Sequence, residues 1–212
     1  MASKEDLQKF VNTFYTGVLK RSKATGIPFN FAISQIARES GFGLHAPNYN
    51  FMGIKGNKDN GALLWTYERY KDRAKANSYP AHNPAKDYQK NGYWYVYVKS
   101  WFRAFKNVDE ALDYYFNLLQ NKRYISTLEE YKEKNLTWQQ YGKLIIQKGY
   151  ATTDAESYSN GLNAFLKQLT PYFENVSDPV PEETPKKKSN LIIWLLAFSV
   201  GSYFLIFNKS NR

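Results

Sequence analysis

The stretch Ile36-Ala37-Arg38-Glu39-Ser40-Gly41-Phe42-Gly43 decides how this chain is read. Its first half completes a helical pattern in which Phe31, Ile33, Ile36 and Ala37 recur on one apolar side. Its second half stops that helix, with Gly41 as the expected C-cap. Glu39 is therefore expected at a helix C-terminus, facing the negative end of the helix dipole, with Phe42 beside it. Both neighbours disfavour ionisation and raise the expected pKa. A carboxylic acid that keeps its proton near neutral pH can protonate a leaving-group oxygen, as cleavage of a glycosidic bond requires. By residue type alone a solvated surface glutamate is the more ordinary role. The local physics permits the acid and does not select it.

Upstream, Ser3 and Asp6 form a variant capping box that opens a first helix. Leu7, Phe10, Val11, Phe14, Val18 and Leu19 mark its buried stripe, and Gly26-Ile27-Pro28 separates it from the second helix. Downstream, from Phe42 to about Ser100, glycine, asparagine and proline punctuate short runs such as 50–54, 63–67 and 93–101. The last of these alternates aromatic and aliphatic residues as a strand does. This region reads as loop and hairpin inserted into a helical body. Helices resume after Asn107, whose capping signal includes Glu110, with Ala111, Leu112, Tyr115, Leu118 and Leu119 inward. Thr137 with Gln140 caps another helix, closed by Gly149. Asp154 caps the last, with Leu162, Phe165, Leu166 and Leu169 inward and Pro171 as its end. The sequence contains no internal repeat.

A hydrophobic content of 43% supports a packed core, and 17% aromatics exceeds what a core needs. Aromatic faces stack on sugars and on bases, so the excess leaves room for a ligand groove. The net charge of +10 is unevenly spread: residues 1–174 carry 24 bases and 16 acids. Such a domain suits nucleic acid, anionic lipid or an anionic polymer such as the cell wall. No helix-turn-helix, zinc or RNA-recognition signature accompanies the charge, so a specific nucleic-acid partner is not expected. The absence of cysteine removes thiolate catalysis and zinc–thiolate sites. His45 and His82, the only histidines, read as polar loop groups and do not suffice for a metallo-hydrolase site. No cofactor is implied.

The N-terminus has no apolar core of a secretory signal. The expected organisation is a globular domain over 1–174 and a proline-rich charged linker over 175–190. A transmembrane helix from Leu191 to Phe207 and a basic tail over 208–212 complete it. The apolar run has 17 uncharged residues, at the short end of the roughly 20 a spanning helix uses. Trp194 and Tyr203 lie near its ends, as interfacial aromatics do. A lipid membrane is thus an expected partner and a single-pass membrane protein the expected localisation.

Six pieces occur in register: IARESGFG (36–43), NYNFMGIKG (48–56), TYE (66–68), WFRAFKNVDEALDYYFNLL (101–119), RY (123–124) and GYATTDAESY (149–158). In this order they resemble the glucosaminidase family, glycoside hydrolase family 73, over roughly residues 5–173. Each piece alone is unspecific; the set is not. The resemblance implies a mainly α, α+β lysozyme-like fold: a helical body with a small β-hairpin lobe. The implied activity is hydrolysis of the β-1,4 bond between N-acetylglucosamine and N-acetylmuramic acid in peptidoglycan strands. Glu39 matches the family's catalytic acid, and Glu68 the second carboxylate proposed on the hairpin in some members. Asn50, Phe51, Gly53, Ile54 and Lys55 match the segment that floors the groove, with Met52 where another Phe is common. Tyr150 matches an aromatic placed near the catalytic glutamate. Two departures are Phe105, where many relatives have Tyr, and Phe42, where Trp is frequent.

Glu68 has three open roles. At roughly 5 Å from Glu39 it would be a nucleophile, and at roughly 6.5–9.5 Å it would activate water. The third role is a plain ion pair with Arg69 or a nearby lysine, the substrate's acetamido group then assisting instead. Tyr67, Tyr70, Trp101, Tyr124 and Tyr150 are stacking candidates, and Lys55 a contact for a muramyl peptide carboxylate. The alternatives in function are a lytic transglycosylase, which closes an anhydro sugar instead of adding water, and a non-catalytic wall-binding membrane protein. The missing signal together with the tail anchor points to a bacteriolytic enzyme in a virion's internal membrane or made by a phage. A cellular autolysin in the bacterial envelope is the other possibility.

Overall fold

The computed structural model describes residues 2–151 and 154–176. Two helices open the chain: α1 (Lys4–Thr25) and α2 (Phe29–Ser40). Both halves of the Ser3/Asp6 capping box form, and Gly26, at φ 79°, ends α1. At that φ a side chain costs about 1 kcal/mol or more, which is why glycine stands there. The expected stripe of α1 is buried, from Leu7 to Leu19. The helix α2 is almost enclosed, with Phe29, Phe31, Ala32, Ile33, Ile36 and Ala37 in the core.

The inserted region forms the expected small β-hairpin lobe, extended by two short strands. Strands β1 (Gly61–Tyr70) and β4 (Tyr93–Arg103) pair antiparallel from Gly61↔Arg103 to Tyr70↔Trp94. The short strands β2 (Ala81–His82) and β3 (Tyr88–Lys90) pair with β4 on its other edge, giving a four-stranded sheet. A 3-10 turn, Arg73–Ser78, lies against β4 and supplies Ala76 to a small second core with Val96 and Val98. Asp87 holds this lobe together. Its side chain, 1% exposed, accepts from Arg73 Nε (2.7 Å), His82 Nε2 (2.9 Å) and the Tyr97 amide (3.0 Å). His82, expected as a loop group, is thus a strand residue facing a buried carboxylate.

The helical body is completed by α3 (Val108–Leu119), α4 (Ile125–Glu133), α5 (Trp138–Gln147) and α6 (Ala155–Leu169). Asn107, Thr137 and Asp154 cap α3, α5 and α6 as their side chains foretell. The helix α4 had no such signal, because its N-cap Tyr124 makes no side-chain cap. Phe42, Phe51, Met52 and Ile54 carry the segment after α2 into the same core as the helices.

The expected transmembrane helix requires correction. No helix among the described residues is long and apolar enough to cross a membrane. The helix α1 has 22 residues but includes Lys4, Glu5, Asp6, Lys9, Lys20, Arg21 and Lys23, and α6 has 15; a span needs about 20 apolar residues. The run 191–207 lies outside the described residues, as do residues 177–190 of the linker expected over 175–190 and the tail. The membrane-anchored function, the lipid partner, the single-pass localisation and the virion or phage setting all rested on that helix. They are withdrawn with it.

Candidate active site

Glu39 lies in the last turn of α2, followed by three successive residues of left-handed backbone: Gly41 (φ 57°), Phe42 (φ 61°) and Gly43 (φ 81°). Ser40 ties this turn, its hydroxyl donating to Ile36 O (2.6 Å) and accepting from the Gly43 amide (2.8 Å). For Phe42 such a backbone costs about 1–3 kcal/mol. Burial of its ring against Phe10 and Phe165 returns a similar amount, about 1.5–3 kcal/mol. The turn thus leaves Glu39 on the surface while anchoring the residues after it.

Behind Glu39 runs a one-directional chain of hydrogen bonds. The Tyr115 hydroxyl donates to Gln35 Oε1 (2.6 Å), Gln35 Nε2 donates to the Tyr158 hydroxyl oxygen (2.7 Å), and the Tyr158 hydroxyl donates to Glu39 Oε1 (3.3 Å). Gln35 stands one helical turn before Glu39, so both side chains lie on one face of α2. Tyr115, Gln35 and Tyr158 are buried, so each link depends on the next for its partner. Because Tyr115 occupies the Gln35 carbonyl, the amide must give its hydrogen to Tyr158. The Tyr158 proton is then left for Glu39. Arg38 stacks its guanidinium 4.0 Å over the Tyr158 ring.

Glu39 is open to solvent, yet enough protein crowds its carboxyl that desolvation is the largest influence and raises its pKa. The Arg38 charge and the Tyr158 hydrogen bond act the other way and are outweighed. The Tyr158 hydroxyl is itself pushed upward, first by burial and then by the Glu39 charge, so it stays a donor. Tyr150 is buried beside this group; burial first, then the charges of Tyr158 and Glu39, raise its hydroxyl well above the usual range. Tyr124 packs 6.2 Å from it, ring centre to ring centre.

The other expected site residues fall into three sets. Glu68, on β1, pairs with Lys55, whose ammonium also donates to Ser100 Oγ (3.0 Å) and lies 4.0 Å over Phe102. No hydrogen bond or ion pair joins Glu68 to Glu39 among the described residues. Asn50 is a buried clamp: its amide donates to Ile54 O and Arg103 O, and its carbonyl accepts from the Ile54 amide. Phe51 is core, 5.0 Å from Phe14, and Gly53 turns the loop at φ 62°. Tyr67 and Trp101 alternate onto the opposite face of the sheet from Glu68.

The structure therefore brings together Glu39, Tyr150 and Tyr124. It adds Gln35, Tyr115 and Tyr158, which were not among the expected site residues. A glutamine four residues before the glutamate on an otherwise apolar helix face was the signal for Gln35. Tyr158 lay within a quoted motif without being singled out.

Solved structures share the fold. The catalytic domain of the autolysin Auto from Listeria monocytogenes is 23% identical, with a TM-score of 0.57, covering 81% of this chain and 90% of its own. A peptidoglycan hydrolase mutant from Sphingomonas sp. A1 is 21% identical, with a TM-score of 0.55, covering 80% and 99%. A C-terminally truncated glycoside hydrolase domain of FlgJ from Salmonella typhimurium is 24% identical, with a TM-score of 0.52, covering 78% and 98%. No curated protein matches the chain. The profile of the glucosaminidase family, described as mannosyl-glycoprotein endo-beta-N-acetylglucosaminidase, matches residues 16–171. An exposed carboxyl of raised pKa at the end of α2 suits that chemistry, and the chain belongs to the glucosaminidase family of glycosidases.

Proposed function

We propose that the enzyme cleaves the glycan strand of peptidoglycan at the β-1,4 bond between N-acetylglucosamine and N-acetylmuramic acid, with Glu39 as proton donor. The observation that carries this reading is the protonation-favouring setting of an accessible carboxyl. Tyr158 donates to Oε1, so the acidic proton resides on Oε2. Delivered to the glycosidic oxygen, that proton lets the bond break toward the leaving sugar as positive charge develops on the other ring. One water then adds to that ring, returning a proton to Glu39. Tyr150, buried beside the acid with Tyr124 packed against it, is the apolar backing that keeps this carboxyl desolvated.

Glu68 enters this reading as the stabiliser of positive charge or the base for water once its pairing with Lys55 is released. The substrate's acetamido group can serve the same end, and the Lys55–Glu68 pair favours it, because that carboxylate already has a partner.

The test is digestion of purified peptidoglycan by wild type and Glu39→Gln, with products identified by mass. The amide keeps the shape, and its oxygen can still accept from Tyr158, so the variant is expected to fold. Turnover should fall at least about a hundredfold. Wild-type turnover in the amide variant would sink the assignment of the acid. Products lighter by one water would make the enzyme a lytic transglycosylase.

A further inference from the structure

The two faces of the β-sheet differ in chemistry. Glu68, the only acid in the four strands, points with Lys55 to one face. On the other, strand alternation sets Trp65, Tyr67, Tyr88, Tyr95, Tyr97 and Lys99 side by side. Trp65, Tyr67 and Tyr88 are 41%, 45% and 44% exposed, and they make up most of the exposed large hydrophobic side chains among the described residues. Isolated exposed rings need no explanation, but a contiguous set on one face marks a surface that binds something.

The rings stand on edge. Trp65 stacks on Tyr97 at 4.9 Å with planes 9° apart, and Tyr88 on Tyr95 at 4.8 Å and 2°. Tyr67 fits between them, 4.7 Å from Tyr97 and 5.4 Å from Tyr88. Cations cover further ring faces: Lys99 lies 5.4 Å over Trp65 and Lys86 4.7 Å over Tyr97. What this face offers outward is therefore ring edges, phenol hydroxyls and ammonium groups. Single-stranded nucleic acid binds aromatic surfaces by stacking bases on open ring faces. Here each stacked pair gives up a face to its partner, and Lys86 and Lys99 lie over Tyr97 and Trp65. A hydroxyl-rich, carboxylate-bearing polymer can be held without stacking, by hydrogen bonds from its hydroxyls to the phenols and by its carboxylates on Lys86 and Lys99.

We propose that this face is a second, non-catalytic docking surface for peptidoglycan, holding strands whose peptides carry free carboxylates. The choice of polymer rests on the function proposed above. Two contacts on one insoluble polymer raise the effective concentration of scissile bonds at the acid.

The test uses the full-length chain carrying Glu39→Gln, sedimented with purified peptidoglycan. Into it are placed Trp65→Ala with Tyr88→Ala, or Lys86→Ala with Lys99→Ala. Each pair should weaken binding about tenfold. The lysine pair should also flatten the dependence on salt. With Glu39 intact, both pairs should cut a short soluble glycan fragment at the parental rate. Undiminished binding to peptidoglycan by both pairs, at unchanged circular dichroism, overturns the proposal. So does a parallel loss of fragment cleavage, which would make the face part of the catalytic cleft. Loss confined to binding of a single-stranded oligonucleotide, or to self-association in the ultracentrifuge, overturns it too. If Glu39→Gln retains full turnover while both pairs weaken binding, the docking surface stands and the catalytic reading alone fails.

Discussion

At the scale of single residues, the acid at position 39 is set by two opposing influences. Crowding by protein keeps its proton on, and the Tyr158 hydroxyl favours the charged form. Replacing Tyr158 by Phe removes a donor to the carboxylate, so the pKa of Glu39 rises further. The protonated form then persists to higher pH, and the alkaline limb of the kcat/KM profile should move upward. A residue serving packing alone would leave that limb in place. The same substitution strands the Gln35 amide without its acceptor, which should cost about 1–3 kcal/mol of stability in a thermal or urea melt. An unmoved alkaline limb would remove Tyr158 from any role in tuning the acid.

At the scale of elements, the β-lobe depends on one buried carboxylate more than on its small core. Ala76, Val96 and Val98 provide little apolar area, whereas Asp87 joins β2, β4 and the Arg73–Ser78 turn. Burial alone would raise its pKa, but the Tyr97 amide, Arg73 and His82 together hold it below the usual carboxylate range. A depressed pKa means that this contribution is present above the ordinary aspartate range and is lost as pH falls through the folded value. Asp87→Asn should cost about 2 kcal/mol, because the solvent-exposed partner Arg73 can rehydrate. The loss should appear first as faster amide exchange in β2 and β3, with α1 and α2 unaffected. Uniform acceleration across all helices would show the lobe to be coupled to the body throughout.

At the scale of the whole molecule, the segment after α2 joins the lobe to the helical body. Phe51 and Ile54 enter the helical core while Asn50 clamps the same loop to the end of β4. Phe51→Ala should therefore destabilise the entire domain by about 3–5 kcal/mol, read as one cooperative transition at a lower midpoint. A biphasic melt, with the helices surviving, would contradict this.

The helix starts at Ser3, Asn107, Thr137 and Asp154 were legible because a cap is a contact between residues three apart, written wholly in local sequence. The position of Glu39 before Gly41 was legible for the same reason. The helix α4 escaped because nothing caps its start, and β2 and β3 because two or three residues carry no periodicity. The site's setting was decided only by the tertiary fold. Gln35 meets Tyr115 across 80 residues of sequence and Tyr158 across 123, and Lys55 captures Glu68 from the far edge of the sheet. Sequence by itself determined which carboxyl stands at a helix end, since backbone geometry there is local. Which groups surround that carboxyl, and so how firmly it holds its proton, follows from burial and from hydrogen bonds that exist only when distant segments pack.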